Sequence, residues 1–150
     1  MNIELLKTDS GNIDFINLIK LLDQELDERY GELQRKYDQH NRVDFIGDVV
    51  VIYKNKVPAA CGAFKEHNEN TIELKRIFVS KEYRQQGFAK LIVKELENTA
   101  MGRGYKYAVL QTAIKQPEAI NLYKKCGYEV IENYGPYAGD TNSVCMRKKL

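Results

Sequence analysis

The spacing of apolar residues changes along the chain, and each change marks an element. Residues Asn2 to Lys7 read as a short first strand, and Asp9, Ser10, Gly11 and Asn12 then supply turn and helix-capping chemistry. From Phe15 the apolar positions recur as Leu18, Ile19, Leu22 and Leu26, one face of a helix ending near Tyr30-Gly31. Residues Glu32 to Asp44 are polar and mixed, fitting either a second short helix or a loop. The period then shortens. Asp48 to Tyr53 and Val57 to Glu66 read as a hairpin about Asn55-Lys56, and Thr71 to Val79 as a third strand. Gly87 opens a helix carrying Phe88, Leu91, Ile92, Leu96 and Thr99 to about Met101, with Gly102 and Gly104 to stop it. Tyr105 to Thr112 is the next strand. Pro117 suits a first helical position, and Ala119, Leu122, Tyr123 and Cys126 form a face that stops at Gly127. Tyr128 to Ile131 and Ser143 to Lys148 close the pattern as strands. The order predicts an α/β fold with a mixed, mostly antiparallel sheet flanked by helices.

Composition narrows this picture. A chain of 150 residues that is 43% apolar, without repeat, low-complexity tract or linker, is expected to form one domain over residues 1–150. It contains no run of about 18 apolar residues, and Met1-Asn2-Ile3-Glu4 lacks the features of a signal peptide. A soluble cytoplasmic protein with no membrane partner is expected. Cys61, Cys126 and Cys145 are odd in number and far apart, which suits neither a disulfide framework nor a metal site, so they read as reduced small hydrophobes. His40 and His67 lie in polar stretches and read as solvent-facing. The net charge of +2 is too small for a nucleic-acid footprint. A nucleic-acid reading through Lys81, Arg84, Lys90, Lys94, Lys124 and Lys125 is opposed by the near balance of acidic residues, and no nucleic-acid partner is expected.

The strand Thr71 to Val79 runs into Arg84-Gln85-Gln86-Gly87-Phe88-Ala89 directly before a helix. A glycine-containing turn at a helix start leaves backbone N–H groups unpaired at the positive end of the dipole, which is an anion site. Gly87 and Ala89 lack bulk where an anion would approach, and Lys81, Arg84 and Lys90 add positive charge. Read from the residues alone, an ordinary helix start with basic surface residues fits as well. Neither GxxxxGK[ST] nor a GxGxxG after the first strand is present, so NTPase and Rossmann readings lack their loop.

At this point the sequence resembles the GNAT superfamily of acetyltransferases. Arg84-x-x-Gly87-x-Ala89 matches that family's acetyl-CoA pyrophosphate loop, [RQ]-x-x-G-x-[GA]. Glu73-Leu74-Lys75-Arg76-Ile77-Phe78-Val79 looks like its fourth strand, and Gln116 to Tyr128 is similar to its N-x-x-A-x-x-L-Y-x-x-x-G-[FY] segment. Tyr134-Gly135-Pro136-Tyr137 through Ser143-Val144-Cys145 looks like the tail of one bacterial branch, so the resemblance spans nearly the whole chain. Gln116 stands where asparagine is usual, and Ala89 replaces the commoner glycine.

The resemblance implies a GNAT fold, acetyl-CoA as cosubstrate, an amine acceptor and no metal. It implies Glu73 as the base, acting directly or through water, and Tyr123 as the acid that protonates the departing thiolate. It assigns the cofactor to Arg84, Gln85, Gln86, Gly87, Phe88, Ala89 and Lys90, to the strand backbone of Ile77, Phe78 and Val79, and to Gln116 and Asn121. Tyr30, Tyr134 and Tyr137 fall in regions that line the acceptor pocket. A base is chemically useful, because a lysine-like amine is only about one part in a thousand free base near neutrality, a cost of roughly 4 kcal/mol. Glu73, Lys75, Ile77 and Val79 share one face of their strand if no bulge intervenes. Each residue also has a plainer reading: Glu73 as an exposed strand glutamate, Tyr123 as core, Tyr134 and Tyr137 as half-buried aromatics. A non-catalytic acyl-CoA-binding module is the alternative to an N-acetyltransferase. The acceptor's identity and the choice between monomer and homodimer are left open by the sequence.

Overall fold

The structure, a computed structural model, describes residues 2–30 and 45–150. The stretch Glu32 to Asp44, with His40 in it, lies outside the described residues. In chain order the elements are β1 (Ile3–Thr8), α1 (Ile13–Tyr30), β2 (Asp48–Lys54), β3 (Val57–Asn68), β4 (Thr71–Val79), α2 (Phe88–Gly102), β5 (Tyr107–Ala113), α3 (Pro117–Lys125), β6 (Glu129–Ile131) and β7 (Ser143–Lys149). Short 3-10 turns cover Lys81–Tyr83 and Gly135–Tyr137. The strands are hydrogen-bonded in the order β1-β2-β3-β4-β5-β7-β6. Pairing is antiparallel for β1–β2, β2–β3, β5–β7 and β6–β7, and parallel for β4–β5. This is the mixed, mostly antiparallel sheet that the residue pattern predicts.

Two compact units divide the chain, Met1–Lys65 with Lys75–Leu96 and Glu66–Leu74 with Glu97–Leu150. In the first, β2 and β3 meet at a tight hairpin in which Asn55 and Lys56 have φ of 51° and 68°. Positive φ at both central residues gives the turn whose twist matches that of the flanking strands. Phe15 and Leu18 of α1 are buried with Val49, Val51, Cys61, Ala63 and Phe78, and Ile19 and Leu22 pack against them. The face read from the i, i+3, i+4 spacing is therefore the one that is buried. Between Cys61 and Ala63 stands Gly62. A Cβ there would lie 2.7 Å from Ile77 Cδ1 and would also collide with Ile92, so only glycine lets α2 approach the strand this closely. Burial pushes the Cys61 thiol up to about 12, keeping it neutral.

In the second unit α3 ends in a Schellman motif. Gly127, at φ 97°, donates its N–H to the Lys124 carbonyl at 3.0 Å, and Tyr128 donates to the Tyr123 carbonyl at 2.9 Å. Such motifs bring the residue after the glycine against the last full turn, and the Tyr123 and Tyr128 rings accordingly meet edge to face at 6.0 Å. A buried carboxylate is fully engaged nearby. Glu97, 6% exposed, accepts the Tyr128 hydroxyl at 2.8 Å and pairs with Lys148 at 3.0 Å. A buried charge persists only when partnered in this way.

Candidate active site

Within the first unit, α2 begins immediately after the loop Arg84 to Gly87. Its first backbone bond runs from the Leu91 N–H to the Gly87 carbonyl at 3.1 Å. The amides of Gly87, Phe88, Ala89 and Lys90 therefore precede the helical ladder, as the first amides of any helix do. Gln85 and Gly87 have φ of 64° and 82°. Left-handed residues of this kind build the backbone concavities that hold anions. A Cβ on Gly87 would meet nothing within 4 Å, so the space it faces is open. Gln85, Gln86, Gly87 and Lys90 are exposed and Ala89 is half-buried, whereas the Phe88 side chain is core.

Arg84 does something the motif does not announce. Its guanidinium pairs with Glu25 of α1 at 2.6 Å, its Nε donates to the Val79 carbonyl at 3.0 Å, and it lies over the Phe78 ring at 5.8 Å. The side chain thus fastens the loop to the end of β4 and to α1. Lys54, at the end of β2, hydrogen-bonds the Gln86 side chain and so brings a further cation to the loop.

The strand leading into the loop is not regular. Arg76 has φ 57°, a left-handed value in mid-strand, and its guanidinium pairs with Asp23 of α1 at 2.6 Å. Simple alternation therefore does not run through β4, and the condition under which Glu73, Lys75, Ile77 and Val79 would share a face is not met. Beyond Arg76, Phe78 joins the α1-facing core while Ile77 lies by Gly62 and Ile92, so the side chains of both go to packing. Any cofactor role for Ile77 or Phe78 falls to the main chain.

Glu73 lies in the second unit, in the last of the three pairs of the β4–β5 ladder, opposite Val109. It is 6% exposed, not the surface glutamate of the plainer reading. Its Oε2 accepts the Tyr134 hydroxyl at 2.6 Å. Burial, followed by the charge and hydrogen bond of Glu73, pushes the Tyr134 phenol well above its ordinary range. His67 stacks edgewise on Tyr134 at 4.9 Å, and Tyr137 does so at 5.9 Å. Tyr137 is 2% exposed, more deeply buried than its turn-rich neighbourhood suggests. The segment is pinned by Asn133, whose carboxamide donates to the Asp140 and Ser143 carbonyls at 2.8 and 3.1 Å.

Tyr123, also in the second unit, is buried at 8% exposure. Among the described residues no group hydrogen-bonds its hydroxyl. Burial first, and Cys126 second, push this phenol above its ordinary value, so it stays protonated at any working pH. Gln116 caps α3 through its main chain, and its Oε1 accepts the Thr112 hydroxyl at 3.0 Å. Asn121 is exposed on α3. Tyr30 is the last residue of α1, and its side chain lies outside the described part.

Of the residues named from the sequence, Glu73, Tyr134 and Tyr137 come together in one cluster, and Arg84 to Lys90 form one loop. Four residues at these places were not singled out as partners: Glu25, Asp23, Lys54 and His67. Each is joined across long sequence separation, and no local pattern marks it.

Comparison with known proteins gives this arrangement a family. Residues 15–128 match the Acetyltransferase (GNAT) family. The uncharacterised N-acetyltransferase YsnE of Bacillus subtilis is 36% identical over 95 residues, covering 61% of this chain and 62% of YsnE. The chain thus spans less than two thirds of that relative's length. A Klebsiella pneumoniae protein assigned to the acyl-CoA N-acyltransferases superposes with a TM-score of 0.81 at 26% identity, covering 99% of this chain and 97% of that one. A GNAT family acetyltransferase from Elizabethkingia anophelis, solved with acetyl-CoA bound, has the same fold at a TM-score of 0.72 and 18% identity, covering 99% of each chain. With the family match extending over Glu73, the Arg84 to Ala89 loop and Tyr123, the chain belongs to the GNAT acetyltransferase family.

Proposed function

We propose that this chain, acting as one domain, is a cytoplasmic N-acetyltransferase that moves an acetyl group from acetyl-CoA to a primary amine of a small molecule, amino acid, peptide or protein. The observation that carries the reading is the Arg84 to Ala89 loop, where left-handed backbone at Gln85 and Gly87 precedes the amides of α2 and open space faces Gly87. A pyrophosphate is the anion such a loop takes in this family, and the bound acetyl-CoA of the Elizabethkingia anophelis neighbour supports the same ligand here. Each charge-assisted bond from an amide contributes about 1.5–3 kcal/mol. Arg84 acts through the loop, holding it by Glu25 and the Val79 carbonyl, and Lys54 adds charge beside Gln86.

The chemistry follows from Glu73 and Tyr123. The acceptor arrives as an ammonium, and Glu73 takes one proton from it, directly or through a water. The neutral amine attacks the thioester carbonyl and forms a tetrahedral intermediate. As the C–S bond breaks, the nitrogen sheds its remaining extra proton and Tyr123 protonates the leaving sulfur, giving amide and CoA thiol. The lost nitrogen proton restores the phenol through solvent. A phenol that burial keeps protonated can fill that role at every pH at which the amine reacts.

Thiol release from acetyl-CoA across a panel of amines tests this reading. Turnover with at least one amine is expected, and Tyr123→Phe lowers kcat about tenfold with little change in acetyl-CoA affinity or melting temperature. Heat of acetyl-CoA binding without thiol release from any amine would indicate a binding module instead. A kcat within about twofold of wild type in Tyr123→Phe removes the tyrosine from the mechanism.

A further inference from the structure

The cluster around Glu73 contains more than a base needs. The family assignment leaves Tyr134 as a residue lining the acceptor pocket, free to turn its hydroxyl toward substrate. Its hydroxyl is already committed, at 2.6 Å, to Glu73 Oε2. Its ring is in T-shaped contact with His67 at 4.9 Å and with Tyr137 at 5.9 Å. Its carbonyl accepts the Tyr137 N–H at 3.0 Å as the chain turns at once through Gly135–Tyr137. A tyrosine held at its hydroxyl, ring and backbone has little freedom left to adapt to a ligand.

Such immobility suits a different task. A strand glutamate has rotamers to lose, and a base works only when its oxygen is held within hydrogen-bond reach of the proton it takes. Anchoring Oε2 through the Tyr134 hydroxyl limits the rotation of the carboxylate and so holds it in one orientation. The same contact supplies a partner for a carboxylate that is 6% exposed, where an unpartnered charge would be costly.

We propose that Tyr134 is a positioning residue for Glu73, with the exposed His67 ring bracing it, and that the pair Glu73–Tyr134 acts as one unit in deprotonating the acceptor. The inference rests on the proposed function, since it takes Glu73 as the base. The tyrosine touches no reacting atom, and its effect reaches the chemistry only through the carboxylate.

A double-substitution cycle on the full chain separates this from a substrate contact or a purely structural role, using Tyr134→Phe, Glu73→Gln and both together. Tyr134→Phe should lower kcat about tenfold, the order expected for losing one hydrogen bond to a charged group, and leave KM for acetyl-CoA and for the amine within about twofold. In the Glu73→Gln background the same change should alter kcat by less than about twofold, because the group it acts through is gone. His67→Ala, which leaves the hydroxyl in place, should give a smaller loss that also vanishes in that background. It serves as the second variant should Tyr134→Phe melt below assay temperature. Losses that multiply, a rise in amine KM with kcat unchanged, or wild-type kcat in Tyr134→Phe would overturn the positioning role while leaving Glu73 as base. Wild-type kcat in Glu73→Gln alone would overturn both.

Discussion

Glu73→Gln lowers kcat by about 10²–10⁴-fold near neutral pH, the range a positioned general base contributes. The substitution keeps the side chain's shape and can still accept the Tyr134 hydroxyl through its carboxamide oxygen, so the fold around β4 is retained. What disappears is the group that takes the ammonium proton. Because a free amine already present in solution bypasses that step, raising the pH should recover part of the lost rate. The deficit is thus steepest at low pH and shrinks as pH approaches the amine's own pKa. A pH–rate series on the variant checks both features. Turnover equal to wild type at neutral pH, or a loss unaffected by pH, would require another base.

The second large effect concerns binding. Gly87→Val should weaken acetyl-CoA affinity by at least tenfold, measured by calorimetry as Kd. At φ 82° an L residue is strained by roughly 1–2 kcal/mol, more for a β-branched one, so the backbone relaxes away from the conformation that presents the amides. Nothing within 4 Å would clash with the new side chain, and the core is untouched. The protein should therefore stay folded while the loop loses its shape. A folded variant with unchanged affinity would remove the loop from phosphate binding.

Much of the fold could be read from periodicity because the deciding interactions are local. Thr71–Val79 and the helix from Pro117 follow from β-branched content and from proline at a first helical position. Gly127 stops α3 because only glycine takes φ 97° without strain. Ends drifted where tertiary pairing overrode composition. Strand β5 starts at Tyr107, not Tyr105, since its ladder to β7 begins with Tyr107 opposite Lys149. The loop was legible for a similar reason, a short motif in an unbroken stretch of chain.

The cluster around Glu73 was only half legible. The glutamate stands in a recognisable strand, but its hydroxyl partner lies 61 residues away. Arg76 gives no local sign of a left-handed backbone, since arginine ordinarily avoids it, and the Asp23 that pairs with it is 53 residues distant. Glu25, which holds Arg84, is 59 residues from it. Such pairings depend on how the elements pack, and spacing along the chain carries no trace of them. One of them, Arg84–Glu25, also fastens the loop to α1.

Transfer of the acetyl group itself is the event on which the proposed function rests. Mass spectrometry of an amine panel incubated with acetyl-CoA carrying an isotopic label in its acetyl carbon measures that event directly. The label is expected in an amide of at least one amine, in equal amount to the CoA thiol released, with wild-type protein and at least a hundredfold more slowly with Glu73→Gln. Acetyl-CoA bound by the protein while the label stays on the thioester with every amine, or label moving equally fast in Glu73→Gln, would contradict it.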